Sequence, residues 1–366
     1  MLTVDDDRLQ RAQESLTAHG LDGLLIGPGP DLRYLVGYQA IALERLTCLV
    51  IPATGNATLV VPQLEAPAAE ASGAERLGVS IKPWAETDDP YALVADLLGG
   101  GTRVAVDDAM QARSLLRLAA ALDTTPGLAG VVLNGLRRRK SPAEVAALQE
   151  AAAAIDAVHA AMGEWLLAGR TERAVAHDIA EAIRGRHETV DFVIVASGPN
   201  SASPHHEVSD RVIAAGDPVV VDIGGTTAAG YCSDSTRVYH VGEPARDYAE
   251  AYAVLMAAQE AGVNAAVVGA AAETVDAAAR GVLADAGLGE FFIHRTGHGI
   301  GVETHEHPYL VAGNREPLQV GDAFSVEPGF YVPGRHGARI EDIVVCTESG
   351  PVRLNHTSRE LHVLSR

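Results

Sequence analysis

Asp222 interrupts the apolar run Val219-Val220-Val221-Asp222-Ile223, Glu327 ends Phe324-Ser325-Val326, and Glu341-Asp342 opens onto Ile343-Val344-Val345. A carboxylate in a buried strand is costly unless its charge is compensated. One such residue reads as a strand end or a satisfied turn. Several within one half of a chain call for a shared cation, and this demand constrains the fold more than any other feature here.

Spacing sharpens the demand. Asp222 and Asp234 lie six residues either side of Ala228, across Gly224-Gly225-Thr226-Thr227-Ala228-Ala229-Gly230. This segment reads as a hairpin loop, and bulge-free pairing would set the two aspartates face to face. Glu327 and Glu341 are placed likewise about Gly334. Like charges in opposition need a counter-charge, and carboxylates can bridge two metals roughly 3.5–4 Å apart. His298, in Thr296-Gly297-His298-Gly299-Ile300-Gly301, is the expected nitrogen donor. Its glycines leave room for close approach, and no βαβ unit surrounds them to suggest a dinucleotide site. The expected metal set is therefore Asp222, Asp234, His298, Glu327 and Glu341. It would hold two divalent ions per chain, and manganese, cobalt or zinc are all admissible to such oxygen-rich donors. His205, in Ser203-Pro204-His205-His206, and His305, in Glu303-Thr304-His305-Glu306, are candidates for oxyanion stabilisation or proton transfer. Ten of the fourteen histidines follow residue 200, so histidine chemistry belongs to the C-terminal part.

Composition excludes other classes. With 28 Lys plus Arg against 48 Asp plus Glu, the net charge of −20 repels phosphate backbones and anionic membranes, so neither nucleic acid nor membrane is an expected partner. The basic run Arg137-Arg138-Arg139-Lys140 reads as a solvated connector. Three scattered cysteines, Cys48, Cys232 and Cys346, give no disulfide framework or CxxC site and fit a reducing cytoplasm. The N-terminus lacks a signal-peptide pattern, and no apolar run spans a membrane. Ser197-Gly198 and Ser233-Asp234 lack a nucleophile elbow, and Cys232 reads as inward-packed.

The first part alternates helices and strands. A helix over 5–19 presents Leu9, Ala12 and Leu16. Strands are expected at 24–26, 47–51, 58–61, 79–82 and 103–106, and helices at 89–98 and 109–122, with a turn-rich end near 123–127. The second part opens on Ser141-Pro142 with Glu144 completing a capping box. Thr171 caps a further helix, strands follow at 191–196, 218–224 and 231–241, Ala-rich helices at 245–268 and 273–286, and strands again over 292–364. The domains are read as 1–132, α/β, and 133–366, α+β.

The chain resembles the pita-bread metallopeptidases (family M24), in the prolidase and Xaa-Pro aminopeptidase branch. The motifs are Asp222-Ile223-Gly224, Gly230-Tyr231-Cys232-Ser233-Asp234-Ser235-Thr236-Arg237, Gly297-His298-Gly299-Ile300-Gly301, Val302-Glu303-Thr304-His305-Glu306, Glu327-Pro328-Gly329 and Arg339-Ile340-Glu341-Asp342, in family order, with Tyr34-Leu35-Val36-Gly37 in a creatinase-like N-terminal domain. The resemblance implies hydrolysis of the bond before proline in peptides by a hydroxide held between two ions. Asp234 and Glu341 would bridge and Glu327 would shuttle protons. His205 and His305 would hold substrate, Thr236 and Arg339 would orient ligands, and the protein would be a homodimer.

Two departures stand out. The Asp222–Asp234 spacing is one residue longer than usual, which predicts a longer hairpin tip with the cage intact. Tyr309 follows His307-Pro308 where dipeptide-cleaving prolidases often carry an arginine for the free carboxylate. That argues against strict dipeptidase action, with Tyr309 in the substrate site and Arg335 the candidate substitute. The competing readings are a metal-free creatinase-like amidinohydrolase and a non-catalytic peptide-binding protein of the same fold. The complete ligand set argues against both.

Overall fold

The computed structural model describes residues 7–364. Residues 5 and 6 of the expected first helix, and the N-terminal segment read for a targeting signal, lie outside them. The chain forms two compact units, Met1–Arg137 and Arg138–Arg366. The expected boundary at 132/133 falls within the helix Gly130–Arg138, and the division comes five residues after it.

The first unit is a six-stranded sheet of β1 (Gly23–Ile26), β2 (Cys48–Pro52), β3 (Thr58–Pro62), β4 (Ser80–Trp84), β5 (Val104–Val106) and β6 (Gly127–Leu128), in the order β4-β3-β2-β1-β5-β6. The β2–β3 hairpin is antiparallel, and β3–β4 and β1–β5 pair in parallel across helical connections. Leu25, Val50, Val60 and Val106 bury one sheet face against the helices Pro90–Leu97 and Ala112–Leu122.

The second unit begins as its residues dictate. Ser141 accepts from the Glu144 backbone, and the Glu144 carboxylate accepts from the Ser141 backbone, 2.8 Å away, closing the capping box of the helix Pro142–Ala160. Strands β7 (Thr189–Ser197), β8 (Pro218–Thr226), β9 (Cys232–Val241) and, late in the chain, β17 (His362–Leu364) form one sheet, β17-β9-β8-β7. A second contains β10 (Gly297–Gly299), β11 (Glu306–Leu310), β12 (Ala323–Val326), β15 (Asp342–Thr347) and β16 (Gly350–Arg353), ordered β11-β10-β12-β15-β16. The hairpin of β13 (Gly329–Val332) and β14 (His336–Arg339) stands apart from both.

Alternation along β8 and β9 decides where the carboxylates go. Val219, Val221, Ile223, Tyr239 and Val241 pack into the helix layer of Ile155, Val158, Val175 and Ile179. Burying each such side chain stabilises by about 1.5–3 kcal/mol. The opposite face turns Val220 and Val238 toward Tyr248, Phe330 and Ala338. Asp222, Asp234 and Thr236 share that face, where its apolar ladder ends.

The basic run is not a solvated connector. Arg137, Arg138 and Lys140 are buried. Arg137 pairs with Asp31 within the first unit at 2.8 Å, Lys140 pairs with buried Glu306, and Arg138 chelates Asp322. Composition placed these charges in water, whereas the fold supplies each with a carboxylate. Cys48, Cys232 and Cys346 are buried free thiols. Among the described residues, no helix is long and apolar enough to cross a membrane.

Candidate metal centre and substrate cleft

The β8–β9 ladder pairs Asp222 with Thr236 and Gly224 with Asp234. The aspartates are therefore diagonal neighbours on one face, not the face-to-face pair expected from symmetry about Ala228. The reason lies at the tip. Thr227 N–H donates to the Tyr231 carbonyl, Gly230 N–H to that of Thr227, and Gly230 takes φ +81°, which centres the turn one residue later, on Ala229. The second symmetry is observed. The ladders Val326–Asp342 and Gly329–Arg339 share one register, which sets Glu327 opposite Glu341.

His298 arrives on β10. A Cβ at Gly297 would sit 1.9 Å from the Ser325 carbonyl oxygen, and one at Gly299 would sit 2.2 Å from that of His307. These glycines admit the flanking backbones rather than a ligand. The His298 Nδ1–H donates to the Gly299 carbonyl (3.1 Å), leaving Nε2 as the nitrogen presented to Glu327 (3.1 Å) and Asp234 (3.7 Å).

Asp234, His298 and Glu341 bring donor atoms within 4.8 Å of one another, and all three are buried. Asp222 Oδ1 and Glu341 Oε1 are buried without a hydrogen-bond partner. Burial, and then repulsion from neighbouring carboxylates, pushes Asp234 and Glu341 well above the usual carboxylate range. Glu327 resists burial through its hydrogen bond and charge interaction with His298 and is held down to about 2. Orphaned oxygens and mutually repelling buried carboxylates are what a cation site requires, so this donor set fits divalent metal.

The surroundings fix the carboxylates of this cluster. Thr236 Oγ1–H donates to Glu341 (2.8 Å). Arg339 donates to Thr236 (3.2 Å), to Tyr331 (2.6 Å) and to Asp222. Arg237, wholly buried, donates to the Glu341 carbonyl and to Asp342, each at 2.6 Å. Asp342 is thus a structural carboxylate rather than a cage member.

The cage floors a cleft of about 850 Å³. His205 and His305 stand in its wall, with Phe192, Ile194, Pro204 and Ile293 giving an apolar side. The His305 imidazole is held down to about 4 by desolvation within the cleft, then by His298 and Arg295, and is neutral at neutral pH. Tyr309 lies opposite His298 in the β10–β11 ladder. Arg335 is not brought to the cleft. It sits exposed at the tip of the β13–β14 hairpin, 3.3 Å from Asp247, while the cage lies at the hairpin's base.

Residues 146–348 match the model of metallopeptidase family M24, and residues 8–139 match the creatinase/prolidase N-terminal domain. The chain belongs to metallopeptidase family M24. It is 54% identical to the probable dipeptidase PepE of Mycobacterium tuberculosis over 98% of this chain and 96% of that one. It is 33% identical to the Xaa-Pro dipeptidase of Lactobacillus delbrueckii subsp. lactis, over 97% and 98%. The crystal structure of dipeptidase PepE from Mycobacterium ulcerans superposes with a TM-score of 0.95 at 55% identity, covering 98% and 97%. The pita-bread fold with a creatinase-type N-terminal domain is therefore the architecture of this M24 peptidase.

Sequence reasoning missed His294, Arg295, Phe192 and Ile293, which line the cleft from segments carrying no motif of their own. It also missed Glu172, the hub beneath the His205 loop. Its buried carboxylate accepts from Ser197 N–H (2.8 Å), Ser197 Oγ (2.7 Å), Asn200 Nδ2 (3.0 Å), Ser209 Oγ (2.6 Å) and His206 Nε2 (2.8 Å). Burial opposes the charge, but these donors outweigh it and hold Glu172 down to about 2. Its stabilisation is present above the unfolded value near 4.5 and is lost as pH falls toward 2. Glu172→Gln should cost roughly 2–3 kcal/mol of stability, the scale of charged hydrogen bonds. By loosening the loop that presents His205 it should raise KM more than it lowers kcat. Thermal melts with steady-state kinetics check this, and an unchanged KM would show that the loop holds without it.

Proposed function

We propose that this metallopeptidase hydrolyses the peptide bond preceding proline in short peptides, using divalent ions held by Asp222, Asp234, His298, Glu327 and Glu341. The observation that carries the reading is the junction of the buried cage with one cleft having an apolar side and two histidines. The Xaa-Pro dipeptidase relative supports the same reaction, and the probable dipeptidase PepE supports action on dipeptides. Bound ions would supply Lewis acidity and lower the pKa of water. The chain's own residues do the rest. Glu327, ionised and hydrogen-bonded to His298, is placed to move a proton between the incoming water and the departing proline nitrogen. Neutral His305 faces the reacting carbonyl from the wall and stabilises its developing negative charge, and His205 holds the substrate there. Thr236 and Arg339 keep Glu341 and Asp222 oriented. Phe192, Ile194 and Ile293 offer the apolar surface that a proline ring can bury.

Manganese is the ion we assign first, with cobalt or zinc as alternatives. The buried free thiols support a cytoplasmic setting, and the family resemblance supports a homodimer. A complete cage speaks against a metal-free amidinohydrolase or a peptide-binding module.

The test is a cleavage panel of Xaa-Pro, Xaa-Pro-Yaa and Xaa-Ala peptides on metal-stripped and reconstituted enzyme. The expected result is no cleavage after chelation, recovery with manganese, and a strong preference for proline. Activity that survives chelation, or Xaa-Ala cleaved as fast as Xaa-Pro, would remove this reading.

A further inference from the structure

One wall of the cleft has no regular structure of its own. Ile293, His294 and Arg295 line the cleft from the stretch between the turn Gly289–Phe291 and β10. Ile293 is 66% exposed, so the apolar surface it offers has to be held from behind. Irregular backbone at such a place must find partners for its polar groups elsewhere.

One helix, Ala272–Asp285, supplies them at 292, 294 and 296. Asp276 and Arg280 stand one turn apart on it and pair through two bonds of 2.9 Å. The Arg280 guanidinium also donates to the Phe292 carbonyl and to the His294 carbonyl, each at 2.8 Å. Its carbon lies 4.1 Å from the centroid of the buried Phe292 ring. Asp276, itself buried, accepts from Thr296 N–H (3.0 Å) and Oγ1 (2.8 Å). The two side chains thus grip the wall at both ends. The Thr296 carbonyl in turn accepts from Glu327 N–H at 2.8 Å, which ties the wall to the cage.

We infer that the Asp276–Arg280 pair is the positioning device for this wall, and that it sets how strongly the enzyme prefers proline. Both residues act through the main chain they grip, not by touching substrate. The inference rests on the Xaa-Pro reading above and extends it to residues behind the cleft. A proline ring buries more of the wall than an alanine methyl does. A wall displaced by about 1 Å therefore costs proline substrates and spares alanine ones.

Two manganese-loaded variants are compared with wild type by steady-state kinetics on Ala-Pro and Ala-Ala, with metal content measured on each. Arg280→Lys keeps a cation beside Asp276 but lacks the planar fork that reaches both carbonyls. The double variant Arg280→Met, Asp276→Asn removes both charges and strands neither. Either one carries the test if the other fails to fold. The expected result is a loss of about 10- to 100-fold in kcat/KM on Ala-Pro, mostly as raised KM. Ala-Ala cleavage and metal content stay at the wild-type level. A merely structural role predicts instead equal losses on both substrates, or lost metal. Either result, or no loss at all, overturns the inference. A pair that neither variant can fold without is a core element, which overturns it too. The Xaa-Pro reading is judged on wild type alone: no preference for Ala-Pro over Ala-Ala sinks it, and the selectivity assigned to the pair with it.

Discussion

Asp234→Asn should inactivate the enzyme while making its metal-free form more stable. In the metal-free protein Asp234 is buried against Glu341, Asp222 and Glu327, and burial with repulsion pushes its carboxyl well above the ordinary range. Asparagine is nearly isosteric and removes that repulsion, so the metal-free variant should melt above metal-free wild type. With metal the order reverses. A ligand that binds only the folded state stabilises by about 4 kcal/mol at a thousandfold excess over Kd. A variant lacking one anionic donor should lose most of that gain. Its metal content and kcat/KM should fall together by more than about 100-fold, the upper end of what loss of a mere ligand-orienting partner costs. Elemental analysis, melts with and without manganese, and kinetics on one preparation test all three. Full metal content with retained activity would take Asp234 out of the cage, and a lower metal-free melting temperature would refute the electrostatic account.

The cluster of buried carboxylates was legible because its physics is local. A carboxylate within Val219–Ile223 or after Phe324–Val326 violates the strand pattern, and the violation points to a cation without knowledge of the fold. The Glu327–Glu341 opposition followed from a turn whose centre the sequence marks with Gly334. The Asp222–Asp234 opposition did not follow, because the turn geometry around Gly230 moved the turn centre by one residue and the pairing by two. A diagonal pair serves the cage as well, since both aspartates stay on one face. Arg335 misled because a residue's number does not say which end of a hairpin it occupies, and Arg335 lies at the tip while Glu327 and Glu341 lie at the base. Glu172 left no mark, since it acts through partners more than ten residues away in sequence: Ser197, Asn200, His206 and Ser209. Propensity and spacing thus report what an element must bury. They do not report which distant side chain will meet it.

The basic run makes the same point in energetic form. Arg138→Met should destabilise the second unit by about 3–5 kcal/mol, the cost of stranding a buried charge. Asp322 is fully buried. Its carboxylate accepts from Arg138 Nε at 2.8 Å and Nη2 at 2.5 Å, with one further bond from the Gln319 backbone at 2.8 Å. The Asp322 main chain is held by β15, where Cys346 N–H donates to its carbonyl at 2.9 Å. Asp322 therefore has no route to water without breaking the start of β12. Were the run a solvated connector, the same substitution would fall within about 0.5 kcal/mol of wild type. Urea titration separates these outcomes. The double variant Arg138→Met, Asp322→Leu identifies the cause, because replacing a whole buried ion pair by apolar side chains is often neutral or stabilising. Recovery in the double variant, with a large loss in the single one, assigns the penalty to the stranded carboxylate. Equal losses in both would assign it to packing of the arginine stem, with charge playing no part.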